Sequence, residues 1–382
     1  MRTPLSRRHF LAASATLPFA MRALAINRET HWVLLGTDKG DGLYRAPWDA
    51  KTGKIGKLSL AIEGSRPTYI ARHPHLPVVY TANEQDNGSL SAYLVDNTNA
   101  RLTQMNKLPS EGSSPCYVSV HPSGKAIYAA NYSSGSFVAY ALNAEGSLDA
   151  SGKVAFDCRT NGECGVPGPQ KDRQEASHLH CATLSPSGHH LVVCDLGTDS
   201  LLVFTLDAKT ALPHPKPHRV SNAPGSGPRH VAFHPNGRWL YVIHELDLTI
   251  SCYDWNHGKP TMREDSVIST VAPGVDRKGM TACELWISPD GKFAYANNRG
   301  VDEIIVYAID TTTAKLAEQQ RFGSGGKIPR IFRFDPTHRW LVACNQSAPG
   351  TIAVFAHDPA TGKVDPTPRI LAANTPMDIC WI

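Results

Sequence analysis

The 382-residue chain lacks the short signatures of several hydrolase classes. It has no G-x-S-x-G elbow, which excludes the serine nucleophile of the α/β-hydrolases, and it has neither an H-E-x-x-H pair nor a P-loop. Gly323-Ser324-Gly325-Gly326-Lys327 has the composition of a phosphate loop without its spacing or its following Ser or Thr, and reads as a linker. Excess charge is small as well: 38 Lys and Arg stand against 34 Asp and Glu, and a net +4 without a basic stripe leaves no nucleic-acid footprint. Past the first 25 residues no apolar run is long enough to span a bilayer, so no membrane attachment is expected of the mature chain. No two of the nine cysteines have C-x-x-C spacing, which argues against structural zinc. Neither a metal nor a cofactor is expected.

What is present begins with a leader. Ser6-Arg7-Arg8-His9-Phe10-Leu11, an apolar run to Met21 and then Ala23-Leu24-Ala25 read as a twin-arginine signal over residues 1–25 with a small-residue cleavage site. The expected partner is the twin-arginine export machinery, the expected location is a bacterial periplasm, and residues 26–382 are expected to form one domain. Nine cysteines is an odd number for an oxidising compartment, so at least one thiol stays free if bonds form within one chain. Cys116, Cys181, Cys194, Cys252, Cys283, Cys344 and Cys380 fall in expected strands, where Cys acts as a small buried hydrophobe. Cys158 and Cys164, six apart in a Gly-rich loop, are either a disulfide or two loop thiols.

One phrase recurs along the rest: an apolar strand, a turn of the form HP, SP or DP, and a second apolar strand ending in Asn, Glu or Asp. Its turns are His73-Pro74, His121-Pro122, Ser185-Pro186, His234-Pro235, Ser288-Pro289 and Asp335-Pro336. A third and a less regular fourth strand follow each turn, the fourth near phrases such as Gly56-Lys57-Leu58 or Gly362-Lys363-Val364. A four-stranded antiparallel unit of roughly 45 to 50 residues is the size of a propeller blade. The fold class is therefore all-β, a seven-bladed β-propeller. Its seventh blade joins the strand at 31–37 to an inner strand at 376–381, which closes the ring and removes the sheet edges. Deleting the last eight residues is expected to open it.

The prolines of successive turns are 47 to 54 residues apart except between Pro122 and Pro186, where the interval is 64. The excess falls at about 157–177 and leads into His178-Leu179-His180, so it is a candidate site element. In an antiparallel hairpin, residues equidistant from the turn face each other. Arg229 should therefore meet Glu245, His180 should lie near Asp195, Thr281 near Arg299, and Arg330 near Asn345, all at one rim of the channel. The opposite rim receives the uniform turns and looks structural. His178 and His180 share a strand face, a spacing that suits a metal, although a hydrogen-bonded strand histidine is the commoner case. Arg229 with Glu245 could equally be a structural ion pair, and Glu284 a buried carboxylate paired with a neighbouring blade.

Several phrases together are similar to the seven-bladed propeller lactonases, which include propeller-type 6-phosphogluconolactonases and fungal carboxy-muconate cyclases. They are Arg173-Gln174 with His178-Leu179-His180, Gly225-Ser226-Gly227-Pro228-Arg229-His230, Glu245-Leu246, Ser288-Pro289-Asp290-Gly291-Lys292, Asn298-Arg299-Gly300, Pro329-Arg330 and Asn345-Gln346. The resemblance implies hydrolysis of a sugar lactone, 6-phosphogluconolactone or a related aldonolactone, or the reverse ring closure. It implies His180, Arg229, Glu245 and Arg299 as catalytic, with His178, Gln174, Arg330 and Asn345 binding substrate. Glu245 or His180 would be the base, and Arg229 with Arg299 would hold the carboxyl oxygen. The chain departs from the family at Tyr117, where His is frequent, at Trp286, where a basic residue is, and at Leu179, where Pro is. Two other readings stay open here. One is a non-catalytic exported binding propeller; the other is a metal-dependent six-bladed lactonase, which the blade count disfavours.

Overall fold

The structure is a computed structural model that describes residues 32–382. The leader and the start of the mature chain lie outside the described residues. Seven antiparallel sheets stand around one axis. Blade one runs outward through Pro67–Arg72, Val78–Asn83, Ser89–Val95 and Leu102–Pro109. Blades two to six repeat this plan from the inner strands Pro115–Val120, Leu179–Leu184, Pro228–Phe233, Thr281–Ile287 and Pro329–Phe334. Among the described residues no helix is long and apolar enough to cross a membrane.

The second strand of each blade is buried on both faces because neighbouring blades cover it, which is why VVYTAN and AIYAAN read as apolar runs without alternation. Tyrosines in those strands carry the blade-to-blade hydrogen bonds. The hydroxyls of Tyr80, Tyr128, Tyr241 and Tyr295 donate to the carbonyls of Gly146, Ala211, Ala314 and Gly362, each in the outer part of the next blade. The Gly362-Lys363-Val364 phrase thus receives a tyrosine and does not open the fourth strand of blade six, which is Arg369–Ala373.

The turn phrase has the structural role its uniformity implied. His73, His121 and His234 each set Nε2 about one hydrogen bond from the carbonyl of the turn glycine of the following blade: Gly124 at 3.2 Å, Gly188 at 2.9 Å and Gly291 at 2.9 Å. Gly124 and Gly291 both have φ near +72°, and a Cβ on either would strike that histidine ring, so glycine is required twice over.

Blade seven is assembled from both ends of the chain. Pro376–Trp381 is its inner strand and pairs antiparallel with Trp32–Thr37, followed outward by Gly42–Asp49 and Ser59–Glu63. Asp378 fixes this joint to both neighbours. It accepts two hydrogen bonds from Arg333 of blade six, at 2.6 and 2.9 Å, and one from the Ile70 amide of blade one at 2.9 Å.

Candidate active site

In all seven blades the ladder between the inner and second strands slips just after its first pairs. A bulge of this kind leaves extra residues unpaired and re-aims their side chains. The extra residues are Thr68, Cys116, His180, Arg229, Cys283 with Glu284, Arg330 and Met377. They are spread around the axis, with Cys116, His180 and Arg330 facing the upper channel, Arg229 and Met377 its narrowing, and Glu284 the space below. A second ring comes from the end of the second strand, where Glu84, Tyr132 and Glu245 directly follow strands ending at Asn83, Asn131 and His244, and Arg299 is the last residue of Phe293–Arg299. The two rings, joined by Arg173 from the long interval, enclose a chamber of about 300 Å³ lined by Glu84, Cys116, Tyr132, Arg173, His180, Glu245, Arg299 and Arg330.

Glu245 is the electrostatic centre. Its Oε1 accepts from Arg173 Nη2 at 2.5 Å and lies 3.0 Å from Arg299 Nη2, while Oε2 accepts from Arg229 Nε at 2.8 Å. Burial alone would push this carboxyl up, but Arg299, Arg229 and Arg173 outweigh it and hold it down at about 2. Glu245 is thus a permanent anion with both oxygens occupied, and a poor proton acceptor. Each arginine is itself positioned: Arg299 Nε donates to Thr281 Oγ1 at 2.8 Å, Arg173 to the Tyr132 hydroxyl at 3.2 Å, and Arg229 Nη1 to the Cys283 carbonyl at 2.6 Å.

His180 faces the same space. Its Nδ1 lies 3.8 Å from Cys116 Sγ, and its Nε2 makes no hydrogen bond among the described residues. Burial first, then the charge of Arg229, holds the imidazole well below its ordinary value, so it is neutral near pH 7. Cys116 is no nucleophile, because burial pushes its thiol up to about 12.

Of the residues read from sequence, the structure brings together His180, Glu245, Arg299 and Arg330 at the chamber, with Arg229 directly beneath. Arg229 and Glu245 meet as expected, and so do Thr281 and Arg299. The other two pairs are displaced by the bulges. Asp195 pairs with Leu179, and accepts from Ser177 Oγ, Thr198 Oγ1 and the His178 amide. Asn345 pairs with Pro329, and its amide donates to the Ser324 carbonyl and Thr351 Oγ1, both at 3.1 Å. It is a buried loop tie and does not line the chamber. Gln174 is likewise buried, donating to the Leu196 carbonyl and Asp199 at 2.8 Å. Its neighbour Arg173 is the insertion residue that reaches the chamber. His178 stacks on Tyr132 at 4.5 Å with both ring nitrogens engaged, one by the Tyr132 carbonyl and one by Glu175, so it does not converge with His180 on a common ligand. Cys158 and Cys164 form a disulfide at the start of the insertion. The sequence reading did not single out Glu84, Tyr132 or Arg173 as site residues. The signal for the first two was available: each directly follows the strand-ending Asn, the register that Glu245 and Arg299 share.

Below the chamber the channel narrows to a void of about 10 Å³ between Tyr69, Cys116, His180, Arg229, His230, Arg330 and Met377, room for about one water. Beyond it lies a second space of about 340 Å³ toward the turn rim. There His230 Nδ1 donates to Glu284 at 2.9 Å and its Nε2 accepts from Arg229 at 3.2 Å, so Glu284 is paired with the neighbouring blade. In the upper chamber and its floor four guanidiniums (Arg173, Arg229, Arg299, Arg330) face two carboxylates (Glu84, Glu245). That excess suits an oxygen that becomes negative during reaction.

The profile of the family described as "Lactonase, 7-bladed beta-propeller" matches residues 32–381. The chain is 31% identical over 343 residues to a 6-phosphogluconolactonase of Bacillus subtilis, covering 90% of this chain and 95% of that protein. It is 28% identical over 347 residues to a 6-phosphogluconolactonase of Formosa agariphila, covering 88% and 95%. Among solved structures, a periplasmic gluconolactonase of Pseudomonas aeruginosa superposes with a TM-score of 0.82 at 26% identity, over 92% of this chain and 98% of that one.

Proposed function

We propose, on the premise that this chain belongs to the seven-bladed β-propeller lactonase family, that it hydrolyses a sugar lactone to the open acid in the chamber around Glu245. The observation that carries the reading is the meeting of three arginines on one fully engaged carboxylate beside a neutral histidine with an open nitrogen. Opening an ester ring needs an acceptor for water's proton, a stabiliser for the tetrahedral oxyanion and a proton for the leaving alkoxide.

His180 Nε2 takes the proton from water as the oxygen adds to the carbonyl carbon. The carbonyl oxygen becomes negative against Arg173 and Arg299, with Arg229 adding its charge from below. When the ring C–O bond breaks, the proton on His180 passes to the departing oxygen, and the sum is one lactone plus one water giving one hydroxy acid. Glu245 keeps the guanidiniums apart and aimed, and takes no proton itself. Arg173 fills the part that sequence had given to Arg229.

The Arg7-Arg8 pair within the leader over residues 1–25 and the similarity to a periplasmic gluconolactonase support export to the periplasm. There an unphosphorylated aldonolactone competes with 6-phosphogluconolactone as substrate. The test is turnover by purified protein on a panel from δ-gluconolactone to its 6-phosphate, corrected for spontaneous opening. Saturable turnover of at least one member is expected. No activity on any member would instead favour a non-catalytic binding propeller.

A further inference from the structure

The chamber has two unlike sides. Toward blades four and five every oxygen of Glu245 is occupied by a guanidinium. Toward blades one and six, which flank the closing blade, the corresponding pair is unsaturated. Glu84 uses only Oε2, which accepts from Thr68 Oγ1 at 2.7 Å and lies 3.5 Å from Arg330 Nη2. Its Oε1 makes no hydrogen bond among the described residues, and the Arg330 guanidinium has no other protein partner there. Both side chains are largely buried, at 16% and 14% exposure, yet both line the chamber. A half-used carboxylate beside a half-used guanidinium offers a free acceptor next to free donors.

We propose that Glu84 and Arg330 form a diol-binding arm that makes the site specific for polyhydroxylated lactones, an inference that rests on the lactonase reading above. One ring hydroxyl donates to Glu84 Oε1, and its neighbour accepts from Arg330. The saturated arginine cluster on the other side of the axis takes the carbonyl end. Thr68, the bulge residue of blade one, holds Glu84 in this pose through Oε2, which leaves Oε1 for the ligand. A buried acceptor of this kind discriminates strongly, because a lactone without the hydroxyl leaves it unpaired.

The experiment compares kcat/KM on δ-gluconolactone with kcat/KM on δ-valerolactone, which has the same ring size and no hydroxyls, in the wild-type protein and in Glu84→Gln. The ratio of the two constants is the readout, since a partly misfolded sample or a uniformly slower reaction cancels in it. The ratio is expected to fall by roughly tenfold or more in Glu84→Gln. An unmoved ratio, whether both constants fall together or neither does, overturns the arm while leaving the lactonase reading intact. A wild-type protein that opens neither of these lactones nor the 6-phosphate removes both readings, and one that opens the 6-phosphate but not δ-gluconolactone overturns the arm alone.

Discussion

At the scale of single residues, two buried groups share one neighbour, Arg229. With Arg299 and Arg173 it keeps Glu245 ionised, and after burial itself it disfavours a cation on His180, so the base stays in its accepting form well below the usual imidazole range. The pH profile of kcat/KM should accordingly be flat from about pH 8 down past 6.5, with its acid limb well below that value. An acid limb centred at 6.5 or above would rule out His180 as the base. For stability the sign runs the same way. Glu245 is depressed from 4.5 to about 2, so its contribution is complete above pH 4.5 and is lost as the pH falls through 2.

At the scale of elements, the insertion before blade three presents Arg173 while several ties hold it down. Gln170 donates to the Gly225 carbonyl, Gln174 is locked on Asp199, and the Cys158–Cys164 disulfide closes its first turn. Replacing both cysteines by serine should lower unfolding free energy by about 2 kcal/mol, as expected for so short a loop. Denaturant titration would measure it. Lactone turnover should stay within about threefold, since the glutamine ties do not depend on the disulfide. A collapse of activity would mean that the disulfide alone sets Arg173. The blades themselves were legible in the sequence because a Pro-containing turn and a buried strand repeat at nearly constant spacing. The bulges were not. Counting outward from a turn assumes an unbroken ladder, and that assumption succeeded for Thr281 and Arg299 but misassigned Asn345 and paired His180 with the wrong neighbour. Arg173 and Gln174 are adjacent in a segment without strand periodicity, so nothing in the pattern says which one turns toward the axis.

At the scale of the whole molecule, ring closure depends on a joint between segments more than 300 residues apart. Asp378 is wholly buried there, and removing it leaves the buried Ile70 amide and the one-third exposed Arg333 guanidinium without their acceptor. Asp378→Ala should cost about 1–3 kcal/mol of stability, read as a lower thermal midpoint. A midpoint equal to that of the wild-type protein would show that strand pairing alone closes the ring. The narrow waist at Arg229 and His180 has a different effect on traffic. A void with room for one water turns the channel into a cul-de-sac, so a molecule that enters the upper chamber must leave by the doorway it came through. The open acid, a fresh anion among four arginines, therefore vies with the next lactone for a single threshold, and competitive inhibition by product is built into the architecture.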